Sequence, residues 1–497
     1  MKLNSSMLKW VCIALIIKAV FFVFFHYHFL RYWPAQRIVR PLFIGSGDTP
    51  GYFEPLENLV NGHGYSVTVR DGSGGASYQP FAGRMPGFLP VYVPLFYFFG
   101  KEAASAALII FQFLLNAFSV YLLSQAAERL FKTKLSFYIT FFLSAAGCFD
   151  SVFVHYGLSE SLSASFLVFS FYMLMRISPV AGYRDWMWAG FFLAWAVFLR
   201  PVLAIFLILF PLIGWIRIRL SPPGFLKACV FFLLPFMIAD VCWIIRNYSS
   251  FGRFVILQNT AIGPGGAYTG DFPEQKVSLK RWVIAVGGDC QEWEPAGEMG
   301  WFYLPPGKQD AVMPFTAKDF TPRYNTDSLL RLRDDFRSSL DENIPGDKRM
   351  ELAKSVIAAC ERYRLSYISC HPVYYYFLNR LRICSRILFI RRLDHLPFPA
   401  SGQMNMVQKA VKGGYFLFYY FVIASALAGM AAAVWKKNRN ALLVALVVMS
   451  YVFLFGFVLG FVESRYLVPV YPFLILLSSF AAATGISRIW RRSSESE

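Results

Sequence analysis

Ten stretches of this 497-residue chain are apolar, and most are long enough to cross a lipid bilayer as helices of about 20 residues. Charged residues make up only 16% of the chain, against about 25% in an average soluble protein. So few charges cannot cover a water-exposed surface, which excludes a cytosolic enzyme, a disordered chain and a nucleic-acid binder. We therefore predict an all-α polytopic membrane protein with about ten transmembrane helices. The predicted spans are residues 8–30, 103–130, 133–149, 161–177, 185–199, 201–217, 225–245, 411–435, 440–462 and 466–487.

The basic residues, which give the chain a net charge of +18, collect in the short loops between these spans. In membrane proteins Lys and Arg accumulate in cytoplasmic loops and set the orientation of the chain. With ten spans and a cytoplasmic N-terminus, all of these loops fall on the cytoplasmic side. We predict a multi-pass protein of the inner (plasma) membrane with both termini in the cytoplasm. The loop cations are Arg129, Lys132, Lys134, Arg176, Arg184, Arg217, Arg219, Lys227, Lys436, Lys437, Arg439, Arg488, Arg491 and Arg492.

This orientation divides the chain into three parts. Residues 1–245 form an N-terminal transmembrane core that includes a first extracytoplasmic loop at 31–102. Residues 246–410 hold more than half of the 30 acidic residues and are too numerous for a structureless loop, so they predict a periplasmic domain of mixed structure. Residues 411–497 form the C-terminal transmembrane helices and a short cytoplasmic tail.

Two outer segments carry further signals. Residues 87–100, with the sequence GFLPVYVPLFYFFG, are apolar but short, and predict an interfacial or re-entrant helix at the outer face. The large outer segment has helical patterning at 327–342 and 348–366. Disulfides form in oxidising compartments, so one or two bridges are an option there, with Cys360–Cys370 as the first pairing to consider. The cysteines of this segment are Cys290, Cys360, Cys370 and Cys384.

Polar side chains from six separate chain segments are predicted to meet the membrane at its outer face. Charged groups at membrane depth are costly, so a concentration of them at one face indicates a functional site. Each residue alone has an ordinary explanation, as a solvated acid, a carboxylate at a helix N-terminus or an arginine that reaches lipid headgroups. Together they predict a polar site. These residues are Asp48, Tyr52, Arg84, Glu160, Arg200, Arg246, Asn247, Glu463 and Arg465.

The order of the motifs that carry these residues resembles the GT-C glycosyltransferase superfamily, in the branch of the protein O-mannosyltransferases and the bacterial lipid A aminoarabinose transferases. In that branch an early acid in the first outer loop is followed by a Tyr four residues later. The resemblance extends from residue 1 to about residue 487. The matching motifs are Asp48 with Tyr52, Gly62-His63-Gly64-Tyr65, Arg84 to Phe88, Leu158-Ser159-Glu160, Arg200-Pro201, Trp243 to Tyr248 and Glu463 to Tyr466.

The resemblance implies an integral membrane enzyme of the cell envelope that moves a sugar from a polyprenyl-phosphate donor to a hydroxyl acceptor. A hydroxyl is a weak nucleophile and needs a carboxylate to accept its proton. The resemblance and the loop position assign this base to Asp48, while Glu160 orients Arg84 or the acceptor. Attack from the face opposite the phosphate inverts the anomeric carbon.

The leaving phosphate gains charge in the transition state, and fixed guanidiniums stabilise such charge. For this role we predict Arg246 and Arg465 first, and then Arg84 and Arg200. A lipid monophosphate donor leaves few charges to neutralise, so the chemistry requires neither a divalent metal nor another cofactor. The predicted substrate-binding side chains are Tyr52, Tyr65, Asn247 and Glu463.

A non-catalytic relative of the GT-C enzymes stays open at this point, and so do two other classes of protein. One is a polysaccharide polymerase or O-antigen ligase, which takes its sugar from a lipid diphosphate. The other is a lipid or solute transporter, although transporters place their binding residues near the bilayer midplane. The donor sugar is open as well, since this chain has Arg84-Met85-Pro86 where the aminoarabinose transferases carry Lys-Pro-Pro. The acceptor is lipid A, a glycolipid, a surface polysaccharide or a protein.

Overall fold

The computed structural model describes residues 5–32, 38–40, 42–70, 75–178, 182–258, 274–288, 290, 297–304, 313–341, 343–389, 396–399, 401–460 and 462–494. The side chains of Arg488, Arg491 and Arg492 lie outside this description. Helices make up about 80% of the described residues, which confirms the prediction of an all-α fold.

The helices of the first half are α1 (Ser5–Tyr32), α2 (Thr49–Val60), α3 (Leu89–Phe131), α4 (Lys134–Ala145), α5 (Cys148–Ser151, continued as a 3₁₀ turn Val152–His155), α6 (Glu160–Arg176), α7 (Tyr183–Leu199), α8 (Ile205–Ile218, preceded by a 3₁₀ turn Pro201–Ala204) and α9 (Pro222–Phe251). From α3 onward they are joined by short connections.

The second half is mainly helical in its described parts. Its helices are α10 (Glu274–Val286), α11 (Glu298–Tyr303), α12 (Thr326–Leu340), α13 (Gly346–Cys370), a π-helical turn (Tyr374–Leu378) leading into α14 (Asn379–Leu388), α15 (Met406–Trp435), α16 (Arg439–Phe453, continued as a π-helical turn Leu454–Leu459), a 3₁₀ turn (Ser464–Val470) and α17 (Tyr471–Ser494).

Helices occupy all ten positions predicted for membrane spans. Within the described residues seven of them are long and apolar enough to cross a membrane, and the bent pair Lys134–Ala145 with Cys148–His155 gives an eighth. The remaining two are α6 and α7, which have 17 residues each. A helix of that length extends about 26 Å, at the short end of the range that spans a bilayer. The chain is therefore a multi-pass membrane protein.

The predicted outer helix at 87–100 is the first part of α3. Gly100 has φ +74° and ψ 173°, so the helix breaks there, and residues 89–99 form a separate arm before the long apolar part. Three consecutive aromatic side chains at the end of this arm, Tyr97, Phe98 and Phe99, are exposed.

Two small antiparallel ribbons belong to the first outer loop. One pairs β1 (Ile38–Arg40) with β2 (Phe43–Ile44), and the other pairs β3 (Ser66–Arg70) with β4 (Ala76–Pro80). Ile44 also forms a parallel bridge to Tyr156, in the segment between α5 and α6. This bridge connects the segment 31–102 to the segment between α5 and α6.

The chain folds into two compact units. The first comprises Met1–Asn259, Leu388–Tyr451 and Ser464–Glu497, and the second comprises Thr260–Ile387 and Val452–Glu463. Within the first unit, α6 is buried along nearly its whole length and packs against α3 and α7. The residue that begins this enclosed helix is Glu160, so its carboxylate is held in the protein interior.

The first unit also contains a buried ion pair in the first membrane span. The Lys18 ammonium is 2% exposed and lies 3.1 Å from the Asp150 carboxylate. It also donates to the carbonyl oxygen of Gly147 at 3.0 Å and to the hydroxyl of Ser151 at 2.9 Å, while Asn116 donates to Asp150 at 2.8 Å. These bonds fasten α1 to the break between α4 and α5.

The second unit has its own core of aromatic side chains around α10, α11 and α12, with Trp282, Trp301 and Phe336 fully enclosed. The helices predicted at 327–342 and 348–366 are α12 and α13. Cys360 and Cys370 both lie on α13 as free thiols. Ten residues of helix separate their backbones by about 15 Å, far beyond the reach of a disulfide, so that predicted pairing is wrong.

Candidate functional site

Asp48 occupies the N-cap position of α2, whose first turn is favoured by Pro50. The carboxylate makes no capping bond to this helix. It lies between two guanidiniums instead: Arg84 donates to Oδ1 at 2.9 Å, and Arg465 donates to Oδ2 at 2.6 Å. A carboxylate at a helix N-terminus already benefits from the helix dipole, and the two arginines fix its direction.

Glu160, the first residue of α6, provides the second carboxylate. Its Oε1 lies 2.8 Å from the Arg200 guanidinium and 3.6 Å from Nε of Arg465. Arg200 directly follows α7, and Pro201 next to it begins a new turn. Arg465 therefore bridges Asp48 and Glu160. The sequence analysis expected Glu160 to orient Arg84 or the acceptor, but Arg84 contacts Asp48.

The loop that carries Arg84 is held against the end of α7 by a close approach of two backbones. A Cβ atom on Gly87 would lie 2.5 Å from the carbonyl oxygen of Phe198, so only glycine fits. The indole of Trp195 donates to the carbonyl oxygen of Gly87 at 2.9 Å. These contacts bring Arg84 and Arg200 to the same site from segments more than 100 residues apart.

Two tyrosine rings lie beneath the guanidiniums. Arg84 is centred 5.0 Å from the ring of Tyr52, and Arg200 is centred 4.9 Å from the ring of Tyr466. Arg465 lies 5.7 Å from the same Tyr466 ring. Stacking on aromatic faces orients the planar guanidinium groups without using their N–H donors, which stay available for oxygen ligands.

The five charged groups, three guanidiniums and two carboxylates, leave one net positive charge. Burial by itself would raise the pKa of Asp48, but Arg465 and Arg84 outweigh it and hold the pKa below its usual value of 3.8. Glu160 is 2% exposed, and its Oε2 has no hydrogen-bond partner among the described residues. Within the same part of the chain, Nε of Arg200 is also buried without a hydrogen-bond partner. The site is thus electropositive and incompletely satisfied.

A set of hydrogen bonds connects the two carboxylate-bearing helix starts. The hydroxyl of Thr49 donates to the carbonyl oxygen of Gly157 at 3.2 Å, and Tyr52 bonds to the hydroxyl of Ser159 at 3.2 Å. A Cβ on Gly157 would lie 2.1 Å from the ring of the buried Phe43, so a side chain at this position would force that ring to move. The neighbours of Asp48 thus contact the neighbours of Glu160.

Arg246 has different contacts from the other predicted arginines. Its guanidinium donates to the carbonyl oxygen of Phe81 at 2.7 Å, to Oδ1 of Asn247 at 2.8 Å and to the carbonyl oxygen of Tyr65. The hydroxyl of Tyr65 in turn donates to the carbonyl oxygen of Arg84 at 3.0 Å. Arg246 therefore orders the loop that carries Arg84, and its predicted phosphate contact stays a prediction.

The predicted site residues fall into three groups. Seven belong to the cluster or touch its backbone, Arg246 and Asn247 support the loop behind it, and the half-buried Glu463 belongs to the second unit. Sequence reasoning gave no role to Tyr466, Thr49, Ser159 or Tyr451, whose hydroxyl donates to the carbonyl oxygen of Tyr466 at 2.7 Å. Tyr466 and Ser159 lie inside the motifs named in the sequence analysis. Their position next to Arg465 and Glu160 was the one signal in the sequence that could have identified them.

Among the described residues, no three His, Cys, Asp or Glu side chains lie close enough together to hold a metal ion. The two carboxylates of the cluster point at guanidiniums. That the reaction proceeds without a metal stays a prediction.

The chain matches no protein-family model and no curated protein. It is similar in fold to solved membrane enzymes. One is the oligosaccharyltransferase AglB from Archaeoglobus fulgidus, in complex with an inhibitory peptide and a dolichol-phosphate, with 12% identity and a TM-score of 0.48. The similarity covers 99% of this chain and 52% of AglB, so the chain spans about half the length of that enzyme.

A second similar structure is ArnT from Cupriavidus metallidurans bound to undecaprenyl phosphate. The identity is 14% and the TM-score 0.34, over 96% of this chain and 78% of ArnT. AglB and ArnT are both membrane glycosyltransferases of the GT-C superfamily, which the sequence motifs resemble.

Proposed function

We propose that this protein is an integral membrane glycosyltransferase. It moves a sugar from a polyprenyl-phosphate donor to a hydroxyl acceptor on the extracytoplasmic face, with inversion at the anomeric carbon. One observation carries the proposal: Arg84, Arg200 and Arg465 converge with Asp48 and Glu160 from five separate chain segments. Charged residues that only face water need no fixed partners. These five groups are held in specific ion pairs instead.

The phosphate of the donor is the natural anionic ligand for this cluster. Arg84 and Arg465 both donate to the Asp48 carboxylate, and planar guanidiniums bind phosphate oxygens in a bidentate manner. Charge develops on the phosphate as the glycosidic bond breaks. Donors fixed in advance stabilise that charge without reorganising during the reaction.

Asp48 is the proposed base. In the ligand-free protein two guanidiniums depress its pKa, and a carboxylate with such a low pKa is a poor proton acceptor. A donor phosphate competes with Asp48 for Arg465 and Arg84. Binding of the donor therefore weakens this ion pairing, raises the basicity of Asp48 and prepares it for the acceptor hydroxyl. Glu160 keeps Arg200 and Arg465 in place during this exchange.

The proposal is tested with the purified protein in lipid nanodiscs and a panel of polyprenyl-phosphate sugars. Release of free polyprenyl phosphate is measured for the wild type and for Asp48→Asn. We expect release with one donor, and a loss of about 100-fold or more in the variant, because the base is removed. Glu54→Gln is the matched control, since Glu54 lies on the same helix and accepts a bond from the backbone of Thr68.

Three results bear on the alternatives. Release from lipid-diphosphate sugars alone would favour the polymerase or ligase class over this one. Undiminished release by a well-folded Asp48→Asn protein would contradict the base assignment. Loss of activity with EDTA, restored by a divalent cation, would contradict the prediction that the reaction does not require a metal.

A further inference from the structure

A basic cleft lies where α3 ends and α4 begins, remote in sequence from the residues of the cluster described above. It has a volume of about 430 Å³. Asn440, near the start of α16, donates to the carbonyl oxygen of Leu130 at 2.7 Å. The start of α16 therefore lies next to the end of α3. The lining residues are Gln125, Glu128, Arg129, Lys132, Thr133 and Lys134.

Further arginines reinforce the positive charge beside the cleft. Arg129 and Arg176 both lie 5.9 Å from the centre of the buried Tyr172 ring, so the ends of α3 and α6 share one aromatic support. Arg217 at the end of α8 donates to the carbonyl oxygens of Met175 and its neighbours at 2.8 to 3.1 Å. Arg217 is thus occupied, whereas Arg129 and Arg176 have no carboxylate partner among the described residues.

The charge in the cleft is only partly compensated, with three cations and one acid in its lining. Arg129, Lys132 and Lys134 are exposed, and Glu128 is the single acid among the lining residues. In the described part of the chain, Glu128 takes part in none of the salt bridges. Like charges this close together repel each other unless an anion lies between them, so the cleft favours an anionic ligand.

One face of α4 continues from the cleft as an apolar strip. Lys134, Tyr138 and Phe142 follow each other at intervals of four residues and so lie on the same face of the helix. Tyr138 is 40% and Phe142 is 55% exposed, although α4 belongs to a candidate membrane span. The face offers a cation at one end and exposed aromatic side chains for about two turns beyond it.

We propose that this basic cleft binds the headgroup of an anionic phospholipid, with an acyl chain along Tyr138 and Phe142. The phosphate lies among Arg129, Lys132 and Lys134, and the hydrocarbon covers the exposed face of α4. A free phosphate ion has the same headgroup chemistry, but it leaves the apolar strip uncovered. The combination of cation and apolar strip therefore selects a lipid. Basic pockets between transmembrane helices bind such headgroups.

The test uses the delipidated full-length protein in a neutral detergent. Phosphatidylglycerol, phosphatidylcholine or glycerol 3-phosphate is added, and retained lipid is counted by native mass spectrometry while the melting temperature is recorded. We expect retention and a higher melting temperature with phosphatidylglycerol alone. The double variant Arg129→Gln with Lys134→Gln removes two cations. Each cation contributes about fivefold, so we expect the affinity for phosphatidylglycerol to fall about 30-fold.

Arg184→Gln with Lys227→Gln is the matched control, since both residues are exposed cations of other basic loops. The control is expected to keep the lipid. Equal loss of lipid in both double variants would show general attraction to charge and overturn the site, as would equal retention of phosphatidylcholine. If glycerol 3-phosphate stabilises the protein as much as the lipid does, the ligand of the cleft is a soluble anion and the lipid proposal is wrong.

Phe142→Ala, which keeps all the cations, is expected to weaken lipid binding but not the binding of a free anion.

Discussion

At the scale of single residues, Arg465 has the most connected position in the cluster. It donates to Asp48 through Nη2, faces Glu160 through Nε and lies over the ring of Tyr466. A guanidinium can serve three neighbours at once because its N–H groups diverge in one plane. A lysine ammonium has the same charge but cannot reproduce these directions.

Arg465→Lys is therefore expected to keep the charge of the site and lose its geometry. We predict a fall in kcat of about 100-fold, similar to the loss of one fixed donor to a developing oxyanion. Sugar transfer by the purified variant measures it, with Arg323→Lys, an exposed arginine of the second unit, as the control. Wild-type kcat in Arg465→Lys would mean that the site needs a positive charge and nothing more.

The lowered pKa of Asp48 predicts how the ion pairs contribute to stability as the pH changes. A carboxylate with a depressed folded-state pKa stabilises the protein above its unfolded pKa, and this contribution is lost as the pH falls through the folded value. The folded value lies below 3.8. The difference in melting temperature between wild type and Asp48→Asn is thus expected to stay constant from neutral pH to about pH 5 and to shrink below it. A difference that shrinks already between about pH 5 and 6 would contradict the assigned direction.

At the scale of elements, the site depends on the register between the starts of α2 and α6. Each helix presents a carboxylate at its N-terminal end, and Gly157 with Ser159 connects the two. Thr49 is buried, with 6% exposure, and its hydroxyl both accepts from the backbone of Ser46 and donates to Gly157. Thr49 is thus a positioning residue that acts through the backbone around Glu160.

Substitution of Thr49 separates this role from simple packing. Thr49→Val keeps the shape and removes the hydroxyl, so the carbonyl oxygen of Gly157 loses a donor, at a cost of about 1 kcal/mol or more. We predict a reduction in kcat of about tenfold with little change in KM, and recovery in Thr49→Ser, which restores the hydroxyl. If Thr49→Ser is as slow as Thr49→Val, the methyl group rather than the hydrogen bond determines the register.

At the scale of the whole molecule, the sequence predicted where the helices lie but not how their ends meet. The length of an apolar stretch is a local property, so all ten positions are helical. The pairing of Glu160 with Arg200, and the support of the Arg84 loop by Arg246, depend on contacts between segments far apart in the chain. The predicted Cys360–Cys370 disulfide is wrong, because the spacing of two cysteines along the chain does not show that one helix carries both thiols.

The predicted orientation of the molecule can be measured directly. The positive-inside rule places the loop at Lys437 in the cytoplasm and the second unit outside. A green fluorescent protein fused after Lys437 should fluoresce, and alkaline phosphatase fused after Pro345 should be active. Phosphatase activity in a fusion after Lys437 would reverse the orientation and remove the extracytoplasmic site.

The buried pair between Lys18 and Asp150 bears on the order in which the protein is made. The two residues are 132 positions apart, which a ribosome takes roughly 10 s to translate. During that time the first helix carries an ammonium without its carboxylate, at a cost of about 3 kcal/mol at the centre of a bilayer. The nascent helix must turn this charge toward water or toward the insertion machinery until α5 emerges. The final seating of α1 thereby comes after the synthesis of α5.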